Sequence, residues 1–331
     1  MNLNNSIKNS RINFVSKSNL ALYISGSIMI LAIIMWCILG VNLSIDFTGG
    51  TVININSGNA IETTEGYNTY VDRVQSVLDD YGITIAYHQK EGEGSSAVLQ
   101  IRYQDVSGKT VDEMSAITEQ VVAGLQTEFA SESIEISAGD RITASASSKL
   151  LTNALLAVII STALILLYIA IRFKFLYGIC GVIGIAHDVL IVFAFMLIFN
   201  LQIGSTFIAA LITVIGYSLN NNVVIFDRVR ENIKNSMTVD NVKVTNKSIR
   251  QSLVRTISTT LTTVIALASI AILGVSGIQS FALPILVGIM AGLFSSTFIV
   301  TPLFARFANK YNIDTKQIEK LKNSNGEIVV E

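Results

Sequence analysis

The sequence contains little charge, little cysteine and little proline, and each shortage narrows what the protein can be. Charged residues make up 14% of the 331 residues, against about 25% in soluble domains, which excludes an ordinary soluble fold. The two cysteines, Cys37 and Cys180, fall in different apolar segments, so we expect neither a disulfide nor a metal site from them. Both prolines, Pro284 and Pro302, fall in the last apolar segment, where neighbouring helices must satisfy the carbonyls that they leave free.

The apolar residues gather into six runs that are long enough to cross a bilayer core of about 30 Å. The first run is too long for the apolar part of a secretory signal, and we interpret it as a retained span. The sequence therefore predicts a polytopic α-helical membrane protein with six transmembrane helices. The predicted spans are residues 19–41, 151–171, 176–199, 203–226, 257–274 and 281–307.

Basic residues alternate along the chain between the links that join these runs. They cluster before the first run, between the second and third, between the fourth and fifth, and after the sixth, whereas the other two short links have none. The positive-inside rule then places both termini, residues 1–18 and 308–331, in the cytoplasm, with a cytoplasmic loop at 227–256 inside the five-helix bundle of residues 150–307. The topology of the chain in the lipid bilayer accounts for the basic clusters, and no nucleic-acid partner is implied.

Residues 42–149 lie outside the membrane in this topology and are too many for a plain loop. From Asp46 to Lys149 the chain has 16 acidic and 6 basic side chains, a net charge of −10. The hydrophobic pattern predicts strands at 50–55, 83–88, 97–103 and 134–137, with helices at 67–81 and 111–129. The order strand, helix, strand, strand, helix, strand is that of an α+β ferredoxin-like domain, here extracytoplasmic and inserted between the first two spans.

Four separated motifs carry a family resemblance. They are IDFTGGT at residues 45–51, IAHDVLI at 185–191, GYSLNNNVVIFDRVREN at 216–232 and LVRTISTTLTT at 253–263. In this order they resemble the SecF branch of the SecD/SecF family of bacterial protein-export proteins, and GIMAGLFSSTFIVTPL at 288–303 fits the same pattern. The resemblance covers the turn at Asp46 and nearly everything from residue 153 to residue 307.

The resemblance implies a six-span half of an RND-type fold that pairs with a separate SecD half in the bacterial cytoplasmic membrane. Such a pair works beside the SecYEG channel, with YajC as a further partner. It uses a proton gradient, or in some relatives a sodium gradient, to help pull or release unfolded exported polypeptides. Nothing in the sequence resembles a P-loop, a catalytic triad or a metal-ligand cluster, so we predict no enzyme activity, no cofactor and no metal.

The resemblance also marks residues for ion coupling, namely Asp188, Asn220, Asn221 and Arg255. Asp188 is near the middle of the third predicted span, where a carboxylate costs at least about 2.5–3.5 kcal/mol and usually lines an interior or an ion path. Two readings stay open for it: ion coupling with the adjacent His187, or a neutral, hydrogen-bonded group that fixes two helices. Arg255 is either part of the ion-conducting set or an anchor at the cytoplasmic surface.

Asn221 departs from the family pattern, because the family has an aspartate there that is its leading proton carrier. An amide matches a carboxyl in shape but cannot take up and release a proton near neutral pH. Three hypotheses follow. Coupling rests on Asp188 and on carboxylates of SecD, or the ion is sodium bound by amide oxygens, or this subunit is an uncoupled scaffold for SecD.

Two further groups complete the candidate residues. The signature turn Asp46, Phe47, Thr48, Gly49 and Gly50 is either a hinge or a rigid join between the first span and the outer domain, and its glycines allow positive φ. Asp227 and Arg228 at the exit of the fourth span are expected to form an interfacial charge cluster. As an alternative function we consider an RND-superfamily exporter of small molecules or lipids, although such proteins usually have larger outer domains.

Overall fold

The structure is a computed structural model that describes residues 12–92, 94–106, 108–132, 134–172, 175–235, 240–273 and 276–311. Most of the two predicted cytoplasmic ends lies outside these residues. The chain forms two compact units. Residues Leu43–Leu156 with Gln202–Ser205 form one, which we call the sheet unit, and the other described residues form the helical unit.

The secondary structure alternates in the first half of the chain and is helical thereafter. The elements are α1 (Phe14–Leu39), α2 (Ile45–Thr48), β1 (Gly50–Asn56), α3 (Thr64–Asp79), β2 (Ile85–Glu91), β3 (Val98–Tyr103), α4 (Val111–Glu128), β4 (Glu135–Ile142), α5 (Ala144–Arg172), α6 (Phe175–Ile198), α7 (Ser205–Lys234), α8 (Asn241–Leu273), α9 (Ser276–Ser295), a π-helical turn (Ser296–Val300) and α10 (Thr301–Tyr311).

The sheet unit has the predicted ferredoxin-like order. Its four strands are antiparallel in the order β2-β3-β1-β4, with α3 and α4 as the connecting helices. The helices begin where side chains cap them: Thr63 accepts from the backbone N–H of Gly66, and Thr110 and Glu113 form a capping box. Strand β4 runs five residues beyond its predicted end, because its last residues pair with the start of β1.

Strand β3 shows how the sheet divides its two faces. Leu99, Ile101 and Tyr103 are fully buried in the apolar core beneath α3 and α4, as the alternation predicts. Arg102, on the opposite face, is buried as well, because its guanidinium lies over the ring of Tyr87 and donates to the carbonyl of Leu43. Desolvation by burial lowers the pKa of Arg102 from its ordinary value.

Six helices of the described chain are long and apolar enough to cross a membrane, which confirms the predicted spans. They are α1, α5, α6, α7, α8 and the last helix formed by α9 and α10 together. Two ends differ from the prediction. Helix α7 continues past Asp227 to Lys234, and residues 241–256 belong to the single 33-residue helix α8, so residues 227–234 and 241–256 of the predicted loop are helical.

The last span contains a π-helical turn between α9 and α10. Pro302 lies two residues after this turn and has no N–H with which to continue the α-helical ladder. The carbonyl of Ser296 accepts both the backbone N–H of Thr301 and, over 2.6 Å, its hydroxyl. Such turns often lie at functional sites, and this one follows Ser295 immediately.

Candidate functional site

Helix α6 carries the buried carboxylate of Asp188. Its buried face includes Gly184, Ile185, His187 and Asp188, and Asp188 has no exposed surface. The glycine brings the last span close, since a Cβ at Gly184 would come within 2.3 Å of the Val300 side chain. This close packing encloses the carboxylate between helices.

Three donors from three helices face the Asp188 carboxylate. The hydroxyls of Ser218 (α7) and Ser295 (α9) donate to Oδ2 over 2.6 and 2.9 Å, and Nδ1 of His187 lies 2.8 Å from Oδ1. Hydrogen bonds to a carboxylate offset part of the cost of removing it from water. The group therefore joins α6, α7 and α9, one helix more than the two of the structural reading of Asp188.

His187 extends the network to the first span. Its Nε2 lies 2.8 Å from the hydroxyl of Ser25, which is buried in α1. With Nδ1–H donating to an ionised Asp188, a neutral ring accepts the Ser25 hydroxyl at Nε2, whereas a charged ring donates there. A change of charge on His187 or Asp188 thus alters hydrogen bonds to as many as three other helices.

The asparagine triplet splits between two faces of α7. Asn221 and Asn222 are buried on the same side as Ser218, while Asn220 is exposed beside Gly216 and Tyr217. The amide nitrogens of Asn221 and Asn222, and the amide oxygen of Asn222, have no hydrogen-bond partner among the described residues. Burial of an amide without a hydrogen bond lowers the stability of the folded protein. Close packing of the helices therefore does not explain why asparagine is present at positions 221 and 222.

The other predicted residues of the helical unit lie away from Asp188. Arg255 is exposed on α8, and its side chain has no hydrogen bond or ion pair within the described ranges. Asp227 faces Arg172 at 3.4 Å, and Arg228 joins Gln251 of α8 and Glu231 of its own helix. These contacts fit the predicted charge cluster at the end of the fourth span. No contact links Arg255 to it among the described residues.

The signature turn contacts the start of the fourth span. Residues Ile45–Thr48 form the one-turn helix α2, and Asp46 Oδ2 accepts the backbone N–H and the hydroxyl of Ser205 over 2.8 and 2.7 Å. Ser205 is the first residue of α7, so Asp46 satisfies an N-terminal donor of that helix. Gly50 requires glycine, because its φ is +120° and a Cβ would lie 2.3 Å from the carbonyl oxygen of Tyr103.

Sequence reasoning missed Ser25 and Ser295 as members of this network. Both are small polar residues within long apolar helices, which is a weak signal, because serine in a span commonly bonds to its own or a neighbouring helix. Asn222, which is not among the predicted site residues, is buried beside Asn221. Across the described residues no three His, Cys, Asp or Glu side chains converge as a metal site.

The fold and this site define a multi-pass membrane protein in which one buried carboxylate contacts polar side chains of three helices. Residues 121–310 match the family described as protein export membrane protein SecD/SecF, C-terminal, and residues 34–57 match the SecD/SecF GG motif. The protein translocase subunit SecF of Petrotoga mobilis is 32% identical over 88% of this chain and 94% of its own length. That of Alicyclobacillus acidocaldarius is 29% identical over 91% of this chain.

A longer protein of the same kind is also similar. The translocase subunit SecDF of Thermus thermophilus is 31% identical over 91% of this chain, which spans 39% of that protein. The crystal structure of SecDF from the same organism, titled a translocon-associated membrane protein, superposes with a TM-score of 0.76 at 30% identity. The chain belongs to the SecD/SecF family, and SecF is the branch that it matches over nearly its whole length.

Proposed function

We propose that the chain assists protein export as the SecF partner of a SecD subunit, next to the SecYEG channel of a bacterial cytoplasmic membrane. It uses an ion gradient to help late translocation and release of unfolded polypeptides, with YajC as a further contact. Both termini face the cytoplasm in this proposal, following the basic residues of the links. The SecDF relative, in which one chain carries both names, supports the pairing with SecD.

The observation that carries the coupling part is the enclosure of Asp188 by donors from three helices. The carboxylate holds Ser218 and Ser295 through one oxygen and His187 through the other. Binding a proton or a cation there changes which of these bonds can form, and the helices that supply them must adjust. Asp188 is therefore our candidate for the ion-responsive group of this chain, in place of the aspartate that Asn221 replaces.

The exposed side of α7 is our candidate for the surface that meets SecD. Gly216, Tyr217 and Asn220 lie there in the middle of a span, and Asn220 has no side-chain partner within the described ranges. An amide that faces lipid costs more than one that meets another helix, and small residues let helices approach closely. Arg255, exposed on α8, is a second candidate for contact with SecD.

Asp46 is our candidate for transmitting motion between the outer domain and the fourth span. It lies in the signature turn that leads into β1, and it holds the first residue of α7. Asn220 and Asn221 belong to that same helix, so a shift of its first turn can reach the middle of the span. A rigid join between the first span and the outer domain would make the same contact.

The test of coupling is Asp188→Asn, because this change keeps the shape and removes the ionisable group. In membrane vesicles with SecD, SecYEG and the ATPase that drives the channel, we expect the stimulation of export by the gradient to disappear while ATP-driven export persists. Asp227→Asn, on the exposed end of α7, is the matched control and keeps the stimulation. Separate collapse of the proton and sodium gradients identifies the ion.

Two further measurements guard the interpretation. Co-purification with SecD and an unchanged melting temperature must show that Asp188→Asn is folded and assembled. Persistence of full stimulation in that folded variant would contradict coupling through Asp188. The reverse change, Asn221→Asp, is expected to increase the dependence of export on the proton gradient, and an unchanged dependence would show that position 221 has no part in coupling here.

A further inference from the structure

A second polar feature lies at the charged end of helices α7 and α8. A cavity of about 390 Å³ is lined there by Arg228 of α7 and by Lys247, Arg250 and Gln251 of α8. One water molecule needs about 10–15 Å³ of such a volume, so the cavity has room for a polar group much larger than water. The apolar part of α7 ends at Phe226, two residues before Arg228, so the cavity is at the level where lipid headgroups lie.

The three cations are only partly neutralised by the protein. Arg228 donates to Gln251 and pairs with Glu231, which is the one carboxylate within salt-bridge distance of the three in the described chain. Arg250 donates a hydrogen bond from Nη2 to the carbonyl of Ile12, and its buried Nε has no hydrogen-bond partner among the described residues. The side chain of Lys247 has no partner among the described residues. The three cations and Glu231 together therefore keep a net charge of +2 beside the cavity.

The topology of the chain does not by itself require this arrangement. The positive-inside rule explains why basic residues are numerous in this link, but it is satisfied equally by side chains that point separately into water. Lys243 is such a residue, with 78% of its side chain exposed beside Asp240. Convergence of Arg228, Lys247 and Arg250 from two helices on one cavity is a separate feature, and it matches how basic pockets between spans bind anionic headgroups.

We propose that this cavity binds the phosphate of an anionic phospholipid, with Arg228, Lys247 and Arg250 as its ligands and Gln251 as a polar contact. Arginine and lysine both suit a phosphate, since arginine offers a planar pair of donors and lysine a compact charge. A lipid bound here would bridge the ends of α7 and α8, which also meet through polar contacts such as that of Asn232 with Ser248 and through buried apolar side chains such as Val229 and Ile249.

The test uses the purified full chain in a mild detergent with short-chain phosphatidylglycerol as the probe. Native mass spectrometry counts bound lipid, and the melting temperature is followed in the same titration. We expect saturable binding of phosphatidylglycerol, and weaker binding of phosphatidylcholine with the same acyl chains. Because one basic residue near an anionic membrane surface contributes about 1 kcal/mol, Lys247→Gln should weaken binding about five-fold. Lys243→Gln removes the same charge four residues earlier on α8 and should leave binding unchanged.

Each other outcome overturns the proposal. Equal binding of the two lipids would show that the anionic headgroup is not recognised. An equal loss in Lys243→Gln and Lys247→Gln would indicate general attraction by charge rather than a site. Inorganic phosphate that raises the melting temperature as much as the lipid would assign the cavity to a free anion. Because Lys247 is exposed, its substitution does not endanger folding, and an unchanged melting temperature without lipid checks this.

Discussion

The sheet unit and the helical unit place their polar and apolar residues in opposite ways. In the sheet unit Leu99, Ile101 and Tyr103 are buried while charged residues cover the surface. In the helical unit large apolar side chains such as Ile159 and Leu164 are 62% and 61% exposed, while Ser25, Ser218 and Asp188 are buried. The sheet unit has the arrangement of a domain in water. The helical unit has that of a bundle in a membrane, where exposed hydrophobic side chains contact lipid.

The difference teaches where function can be found in each unit. Polar residues in the sheet unit are mostly surface residues, and a single one says little. In the helical unit a polar residue is costly in lipid, so it lies inside or meets a partner. Asp188 is a polar residue inside the bundle, and Asn220 is one that we expect to meet a partner. Three pairs of substitutions test the opposite arrangement of the two units.

The largest expected effect comes from a pair of identical substitutions. Leu99→Ala should lower the free energy of unfolding of the sheet unit by about 2–5 kcal/mol, because it opens a cavity in a closed core. Leu164→Ala should cost less than about 0.5 kcal/mol, because its side chain is exposed and leaves no closed cavity. Urea unfolding of the purified full chain, read by proteolysis of each unit, measures both. Equal losses would contradict the opposite arrangement of the two units.

The same contrast explains how much of the fold the sequence reveals. Alternation along β3 predicted its buried face, since Leu99, Ile101 and Tyr103 have only one core to enter. Six apolar runs predicted six spans, but in lipid both faces of a helix are apolar and periodicity does not mark the packed one. Helix α8 is longer than predicted, because residues 241–256 are polar and were assigned to a loop. Polar residues indicate exposure to water, and they do not show where a helix begins.

The candidate site was predictable only in part, for the same reason. Asp188 and His187 stand out as charged or titratable residues within a span, and the structure confirms that Asp188 is buried. Ser25 and Ser295 could not be assigned, since only packing decides which of many serines meets a carboxylate. Arg255 was selected by resemblance alone, and its exposed position leaves its role a proposal.

A smaller effect, of opposite sign, is expected at Asn222. Replacement of a buried amide that lacks partners by an apolar group of similar size removes a desolvation cost, so Asn222→Leu should raise the stability of the bundle by about 1–2 kcal/mol. Ser218→Ala, four residues earlier on the same buried side, should lower it, because Asp188 loses a donor. Thermal unfolding of the purified variants compares the two. A loss of stability in Asn222→Leu would mean that the Asn222 amide has a hydrogen-bond partner in the folded protein.

The smallest effect concerns a surface cluster of the sheet unit, in which Glu132 accepts from the hydroxyl of Tyr70 and pairs with Arg73 at 2.6 Å. The hydrogen bond from Tyr70, and then that from Arg73, lower the pKa of Glu132 from its ordinary value of 4.5. The ionised form is therefore favoured by folding, and its stabilisation is present above pH 4.5 and lost as the pH falls through the lowered pKa. Screening by water keeps the contribution below about 1 kcal/mol.

Glu132→Gln tests this contribution through the pH dependence of stability. The variant should be slightly less stable than the parent at neutral pH. It should also lose less stability between pH 5 and pH 3, because carboxyl groups ordinarily have pKa values of about 4. Glu119→Gln, on the exposed side of α4, is the matched control and should follow the parent curve. Parallel curves for Glu132→Gln and the parent would show that this carboxylate, although well bonded, adds nothing to folding. The helical unit has its one fully enclosed carboxylate among the described residues at Asp188, where the same substitution by an amide is expected to change export instead.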